Sequence, residues 1–201
     1  QYSHLYLCIA GELAAVICIF DPLRAEAKDA IRALHACGIS KVVMMTGDNR
    51  RTAASVAEEV GVDEFYAEVL PEDKAAFIRR EKAAGRTVIM IGDGVNDSPA
   101  LSEADAGVAI STGAAIAREI ADITIASEDL FELVTLRRIS EALMGRIHRN
   151  YRFIVGFNLG LIVFGVAGLL PPTTSALLHN ASTLAISLKS MTNLLPDKKK
   201  I

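Results

Sequence analysis

Met90-Ile91-Gly92-Asp93-Gly94-Val95-Asn96-Asp97-Ser98-Pro99-Ala100-Leu101 is the stretch around which the rest of the chain is arranged. The apolar run before it, from Thr87 to Ile91, reads as a buried strand that ends in a glycine-flanked acidic loop. Asp93 and Asp97 can converge on one side of that loop, where hard carboxylate oxygens suit Mg²⁺. Gly92 and Gly94 let the backbone turn tightly and come close to a ligand. Gly, Asn and Asp are also ordinary turn formers, so a lone Gly-Asp-Gly would say little. Twelve residues in this order, feeding a helix through Ser98-Pro99, say much more.

Composition divides the chain. Apolar residues make up 51% of the 201 and charged residues 22%, yet the charge is unevenly spread. Residues 1–150 hold nearly all of it, whereas Lys189 is the one charged residue between 153 and 195. That contrast predicts a water-facing domain followed by membrane segments. A net charge of −3 and the lack of a basic, aromatic-interleaved stripe argue against a nucleic-acid partner. Cys8, Cys18 and Cys37 have neither metal-ligand nor disulfide-framework spacing and are expected to be small buried thiols in a reduced compartment. No signal peptide is legible, Gln1 is no initiator, and the chain opens inside a strand-like run. The expectation is the C-terminal part of something longer.

Leu5–Ile9 and Leu13–Phe20 are β-type runs around a hairpin turn at Ala10-Gly11-Glu12. The second ends at Asp21-Pro22-Leu23-Arg24. A carboxylate just past an apolar strand is where α/β folds place chemistry, although Asp-Pro also makes a helix N-cap, and both can hold at once. Ala25–Cys37 follows as an amphipathic helix closed by Gly38, and Lys41–Met45 is the next strand, delivering Thr46-Gly47-Asp48-Asn49. Thr46 offers one hydroxyl donor beside the free N–H groups of a helix start. A Thr-Gly-Asp turn is also a common helix cap. Helices over Arg50–Val60 and from Pro71 to Gly85 flank a short strand, Phe65–Val69. After the central loop come helix Ser98–Ala104, strand Gly107–Ile110, helix Ala114–Ala121, strand Ile123–Ala126 and a long helix, Leu130–Asn150. Apolar strands alternating with helices predict a doubly wound parallel sheet with right-handed crossovers. Asp21, Thr46 and Asp93 then share its carboxyl edge.

Phe153–Leu170 is uncharged throughout, Pro171-Pro172-Thr173-Thr174 breaks it, and Ser175–Leu195 makes a second apolar stretch. Arg146, Arg149 and Arg152 precede the first, and Lys198, Lys199 and Lys200 follow the second. The positive-inside rule puts both ends in the cytoplasm. His179, Ser182, Thr183, Ser187 and Ser190 fall within an arc of roughly 140° on the second stretch. Such groups face protein or a water-filled path, and Asn158 is a candidate partner from the first stretch. For Ser187 and Ser190 interhelical hydrogen bonding explains the pattern. His179 is different, because a neutral imidazole is also a good ligand for Zn²⁺ and similar ions.

GDGVNDSPAL (Gly92–Leu101) resembles the hinge motif of P-type ATPases, ion pumps built on a haloacid dehalogenase-like phosphorylation domain. DPLR (Asp21–Arg24) and TGDN (Thr46–Asn49) resemble two further motifs of that family, and His179-Asn180-Ala181-Ser182-Thr183 resembles the last transmembrane helix of its heavy-metal branch. The resemblance implies an α/β, haloacid dehalogenase-like parallel sheet followed by an α-helical transmembrane hairpin. It implies residues 1–20 as the end of a nucleotide domain, 21–140 as the phosphorylation domain, and 141–201 as a stalk with two transmembrane helices. By residue, it implies Asp93 and Asp97 as Mg²⁺ ligands, with Gly94 and Asn96 completing the cofactor loop. It also implies Asp21 beside the phosphorylation site, Thr46 hydrogen-bonding the phosphoryl oxygens, Gly47 beside it in the catalytic set, Asp48 positioning ATP and Mg²⁺, and Lys74 neutralising phosphate. His179, with Asn158 and Thr183, is expected on the path of the transported ion.

The function so implied is ATP-driven export of a heavy-metal cation through an aspartyl-phosphate. The chain would be an integral protein of a bacterial plasma membrane, with residues 1–150 and the tail cytoplasmic, and its partners the metal ion, the bilayer and upstream pump chain. DKTGT, TGE and a membrane Cys-Pro do not occur in the 201 residues, so these alone are expected not to turn over. His179-Asn180 stands where cobalt-type members have His-Glu and zinc/cadmium-type members an Asp. Zinc or cadmium leads, with cobalt, copper and manganese behind. The competing readings are a soluble phosphatase of the same superfamily, which would need an acidic residue where Leu23 stands, and a non-catalytic remnant.

Overall fold

The computed structural model describes residues 3–19, 22–92, 95–110, 119–126 and 129–195. The chain forms two compact units, 1–134 and 135–201.

In the first unit, β1 (Ser3–Ile9) and β2 (Glu12–Ile19) pair antiparallel. Their turn puts Ala10 and Gly11 both at positive φ, 53° and 86°, the backbone of a tight two-residue hairpin. Leu5, Tyr6, Leu7, Ile9 and Leu13 are all exposed, so the ribbon has no covered face. Cys8 and Cys18 ride on it and are exposed too, which corrects the expectation of buried thiols; only Cys37 is partly covered.

Five short strands then alternate with helices. They are β3 (Val43–Met45), β4 (Glu64–Tyr66), β5 (Ile89–Gly92), β6 (Ala106–Ile110) and β7 (Ile123–Ile125). All their pairings are parallel, as the continuous apolar runs predict. The single expected sheet appears as two ladders, β3–β4 and β5–β6–β7. Between strands lie α1 (Ala27–Ala36), α2 (Arg50–Val60), α3 (Pro71–Ala83) and α4 (Ser98–Glu103). Each helix boundary has a local cause. Asn49 accepts the Thr52 N–H at 3.0 Å to start α2, and Gly61 ends it at φ 78°. Pro71 opens α3 at the position where a missing N–H costs nothing.

The core is built largely from small residues: Ala30, Ala53, Ala75, Ala100 and Ala109 are buried with Ile78, Leu101 and Val108. Alanine faces let helices come close to the strands. At Gly107 the approach is tightest, since an added Cβ would lie 2.6 Å from the Leu101 carbonyl oxygen.

The second unit is made of two helices. The first of them, α5 (Phe131–Val166), begins at the end of the first unit and runs unbroken through the expected boundary between Asn150 and Phe153. Its apolar part ends early, at Val166, because the chain turns through Gly168 at φ 73°. Pro171-Pro172 is not the break that the sequence suggests. Pro172 is the first residue of α6 (Pro172–Ser190), the helical position where proline fits best. Neither helix keeps the expected bounds of 153–170 and 175–195. Among the described residues, no helix is long and apolar enough to cross a membrane. Arg149 and Arg152 precede the apolar part of α5, and His179, Asn180 and Lys189 interrupt α6.

Candidate functional site

Thr46 follows β3, and Asp48 follows two residues later at the entrance to α2. The Thr46 hydroxyl donates to the Asp48 carboxylate at 2.8 Å and accepts the Asp48 backbone N–H at 3.1 Å. The turn is fixed from the other side as well. Thr46 N–H donates to the Tyr66 carbonyl at 3.0 Å, and Val69 N–H donates to the Thr46 carbonyl at 3.0 Å. Gly47 is exposed, and an added Cβ there would lie 3.9 Å from the Val69 carbonyl oxygen, ordinary contact.

Lys74 projects from the first turn of α3. That turn is set by Asp73, whose carboxylate accepts the Leu70 N–H at 3.3 Å. The Lys74 ammonium meets Asp97 Oδ1 at 2.7 Å, with the two side chains only 17% and 12% exposed. Asp97 belongs to the 3₁₀ turn Val95–Asp97 that leads from β5 into α4. A Cβ on Gly92 would come within 2.7 Å of the Asp97 Cβ and 2.8 Å of its Oδ2. Glycine is therefore required at 92 by the aspartate of its own motif. One carboxylate oxygen is held by the lysine, and the other lies in the space that the missing Cβ leaves. A fixed, hard, anionic oxygen next to a strand end is a donor that suits Mg²⁺.

Ser98, directly after Asp97, has a buried hydroxyl with no hydrogen-bond partner among the described residues. The sequence reading missed it, because a serine before proline looks like a helix start and nothing more. Asn96 is exposed. Asp21, Asp93 and Gly94 lie outside the described residues. The structure thus brings Lys74 to Asp97 and Thr46 to Asp48, and no hydrogen bond or ion pair joins the two pairs among the described residues.

In the second unit, His179 Nδ1 lies 2.8 Å from Asn158 Oδ1, the expected partner. An amide oxygen only accepts, so Nδ1 donates, and in the neutral imidazole Nε2 is the nitrogen that keeps its lone pair. The hydroxyls of the polar stripe turn out to serve their own helix. Ser182 and Thr183 donate to the His179 carbonyl at 2.8 and 3.1 Å, and Ser187 donates to the Thr183 carbonyl at 2.9 Å. Ser190 alone of these also bonds across, accepting from Asn150 Nδ2 at 2.9 Å. The interhelical bonding expected of Ser187 is therefore absent: its i−4 carbonyl is closer to hand. An open, mainly apolar pocket lined by Leu161, Ile162, Gly165, Ser175 and Ala176 adjoins His179 and Asn158. No cluster of three or more His, Cys, Asp or Glu suited to a metal occurs among the described residues.

Arg146, read from sequence only as a flanking charge, donates to the carbonyls of Ser190, Thr192 and Asn193 at 2.9, 2.6 and 2.8 Å. The step from Arg146 to Asn158 along α5 matches, within a residue, the step back from Ser190 to His179 along α6. One antiparallel register serves both contacts.

Residues 3–105 match the haloacid dehalogenase-like hydrolase family. A copper-transporting ATPase of Rhizobium meliloti (strain 1021) is 46% identical over 176 residues, 88% of this chain and 21% of that protein. A manganese-exporting P-type ATPase of Mycobacterium bovis is 40% identical over 183 residues, 90% of this chain and 26% of the relative. A crystal structure of a zinc-transporting PIB-type ATPase in the E2·Pi state superposes with a TM-score of 0.82 at 30% identity, covering 94% of this chain and 31% of that one. The chain thus spans a fifth to a quarter of the length of these curated relatives. By the match over residues 3–105, the chain belongs to the haloacid dehalogenase-like hydrolases, and its relatives are heavy-metal P-type ATPases.

Proposed function

We propose that these 201 residues are the phosphoryl-handling domain and a membrane hairpin of an ATP-driven heavy-metal exporter. The observation that carries the reading is the partly buried Lys74–Asp97 pair seated against the bare α-carbon of Gly92. A structural ion pair needs no such cradle, whereas a site that must hold a phosphoryl group and its counter-ion needs both charges fixed in place.

In this reading Asp97, with Asp93, holds Mg²⁺, which when bound offsets charge on the phosphoryl oxygens. Lys74 supplies a compact positive charge to the same group. Asp97 holds the Lys74 ammonium at 2.7 Å, so a phosphoryl group would compete with a carboxylate for it. Thr46 can turn its hydroxyl from Asp48 toward a phosphoryl oxygen, leaving Asp48 to orient the nucleotide. Asp21 is assigned by the motif resemblance a role beside the carboxylate that becomes phosphorylated. Covalent transfer splits one hard step into two and stores its energy in a protein conformation. The 201 residues alone are accordingly expected to give no steady ATP hydrolysis, measured as phosphate release.

The hairpin sits in the bilayer among other helices, with the first unit in the cytoplasm. Exposed side chains on both helices support this, among them Leu159, Ile162 and Val163 on α5 and Leu177, Leu184 and Leu188 on α6. Helices buried in a bundle tolerate the polar residues that an isolated span would not. Nε2 of His179 is oriented for a metal by the bond that Nδ1 makes to Asn158, and the Thr183 hydroxyl lies one turn away. A nitrogen-containing site favours zinc or cadmium over harder ions. The test is ATPase activity of the complete pump across Zn²⁺, Cd²⁺, Co²⁺, Cu⁺ and Mn²⁺, with and without His179→Ala. Loss of the Zn²⁺ and Cd²⁺ response is expected, and an unchanged metal profile in the variant would remove His179 from the ion path.

A further inference from the structure

Between Ala142 and Arg152 the helix α5 carries Arg146, His148, Arg149 and Arg152 and no carboxylate. The preceding acidic residue, Glu141, is engaged by Arg137 at 2.9 Å. Arg146 is committed to three backbone carbonyls. Arg149 and Arg152 are exposed and take part in no hydrogen bond or ion pair among the described residues. They stand one helical turn apart, roughly 4.5 Å along the axis. The Arg149 guanidinium lies back over Gly145, where an added Cβ would sit 3.5 Å from its nitrogen.

The level of these cations in the hairpin is fixed by contact. Asn150 bonds Ser190, so Lys189, exposed and likewise without a partner among the described residues, stands at the same height on the neighbouring helix. Before this collar, exposed Ile139, Leu143 and Met144 are mixed with Arg137, Arg138 and Glu141. Directly beyond it the exposed surface is apolar and aromatic with no charge. Tyr151 is exposed, Phe153 stacks on Phe157 with ring centres 5.6 Å apart, and Ile154 and Val155 follow. Unpaired cations, then an aromatic layer, then an apolar sleeve is the order met on passing from headgroups into acyl chains.

We propose that Arg149 and Arg152, with Lys189 beside them, form a seat for the phosphate of an anionic phospholipid. The inference rests on the membrane reading of the hairpin. The forked guanidinium donors match a phosphodiester's two free oxygens, which a zwitterionic lipid also offers but with its own ammonium competing. Anionic lipid leaves the phosphate to the protein.

The experiment reconstitutes the full 201-residue chain with vesicles of phosphatidylcholine alone, or with 30% phosphatidylglycerol (a proportion of roughly physiological order), and measures partitioning by flotation. Partitioning about tenfold stronger into the anionic vesicles is expected, falling to the neutral-vesicle value in Arg149→Gln/Arg152→Gln and retained in the double lysine variant. Lys28→Gln/Arg51→Gln, which removes equal charge from the other unit, should leave the preference intact. A chain that binds neither vesicle defeats the membrane reading itself. One that binds both equally, or whose preference survives loss of both arginines, defeats the lipid seat alone. Full competition by millimolar inorganic phosphate would show a free-anion site and overturn the assignment to lipid.

Discussion

At the scale of single residues, the Lys74–Asp97 contact shows how tightly the acidic loop is built. Gly92→Ala would push a methyl into the Asp97 side chain, whose Cβ lies 2.7 Å away, so backbone or carboxylate must move. A loss of about 1–3 kcal/mol is expected, with weakened Mg²⁺ binding, measured by urea unfolding and by titration calorimetry. Lys74→Ala leaves a largely buried carboxylate without its counter-charge. The cost should be about 2–3 kcal/mol, and Lys74→Ala/Asp97→Asn should recover part of it. Full recovery of stability with no recovery of phosphate affinity would separate folding from chemistry. The types and spacing of the chemical groups were legible in sequence, but not the contact: residues 74 and 97 lie on different elements, and only packing brings them together. Gly92 was read only as a turn that lets a ligand approach, and the room it leaves for Asp97 was not foreseen.

At the scale of elements, one device recurs at the amino ends of the parallel strands. Asp63, Asp105 and Asp122 each stand just before a strand and accept a backbone N–H from the strand alongside or its approach: Val42 at 2.6 Å, Val88 at 2.8 Å and Gly107 at 2.8 Å. These carboxylates cap the ladders where pairing begins. The Val88 N–H, helped by Lys82, holds the Asp105 carboxyl below the usual range, with burial opposing. A folded-state pKa below the unfolded one means that the stabilisation is full above the ordinary carboxylate range and disappears as pH falls through the lowered value. The stability gap between the parent and Asp105→Asn should therefore close on acidification, read from unfolding curves at a series of pH values. Helix and strand types were legible from apolar periodicity, whereas these caps were not, since an aspartate before a strand reads as a loop. Along α5, Gly156, Gly160 and Gly165 would each meet nothing with an added Cβ. Alanine at these sites should stabilise the isolated chain by about 0.5–1 kcal/mol per site, and at Gly156 and Gly160, one turn apart on one face, it should lower transport if further helices pack there.

At the scale of the whole molecule, both units expose apolar surface, the first on its β1–β2 ribbon and the second along its helices. Bulky apolar side chains are exposed along much of α5 and α6. Without detergent or lipid the chain should self-associate, giving a high-mass peak on size exclusion that a mild detergent resolves. The α/β class and the helical pair could be read from composition and periodicity, but their junction could not. Three arginines and an asparagine near residue 150 look like a helix end, yet Phe131–Val166 continues through them because no glycine or proline stands there to stop it. The proline pair misled in the opposite sense, since a residue that halts one helix also starts the next.

The guanidinium at 146 leaves one more mark on the molecule. A helix finishing in water usually needs a left-handed glycine to tidy its last peptide groups, and α6 has none: Met191 follows in an ordinary right-handed conformation. The Leu188 and Lys189 carbonyls are taken by the next N–H groups of the chain. The last oxygen, that of Ser190, and those of Thr192 and Asn193 just beyond are claimed from the side by a residue far back in sequence. Part of the stop signal for this helix is thus written on α5. Residues just after Ser190 can consequently drift in identity without fraying the helix, while a change at Arg146 would loosen an end it does not belong to.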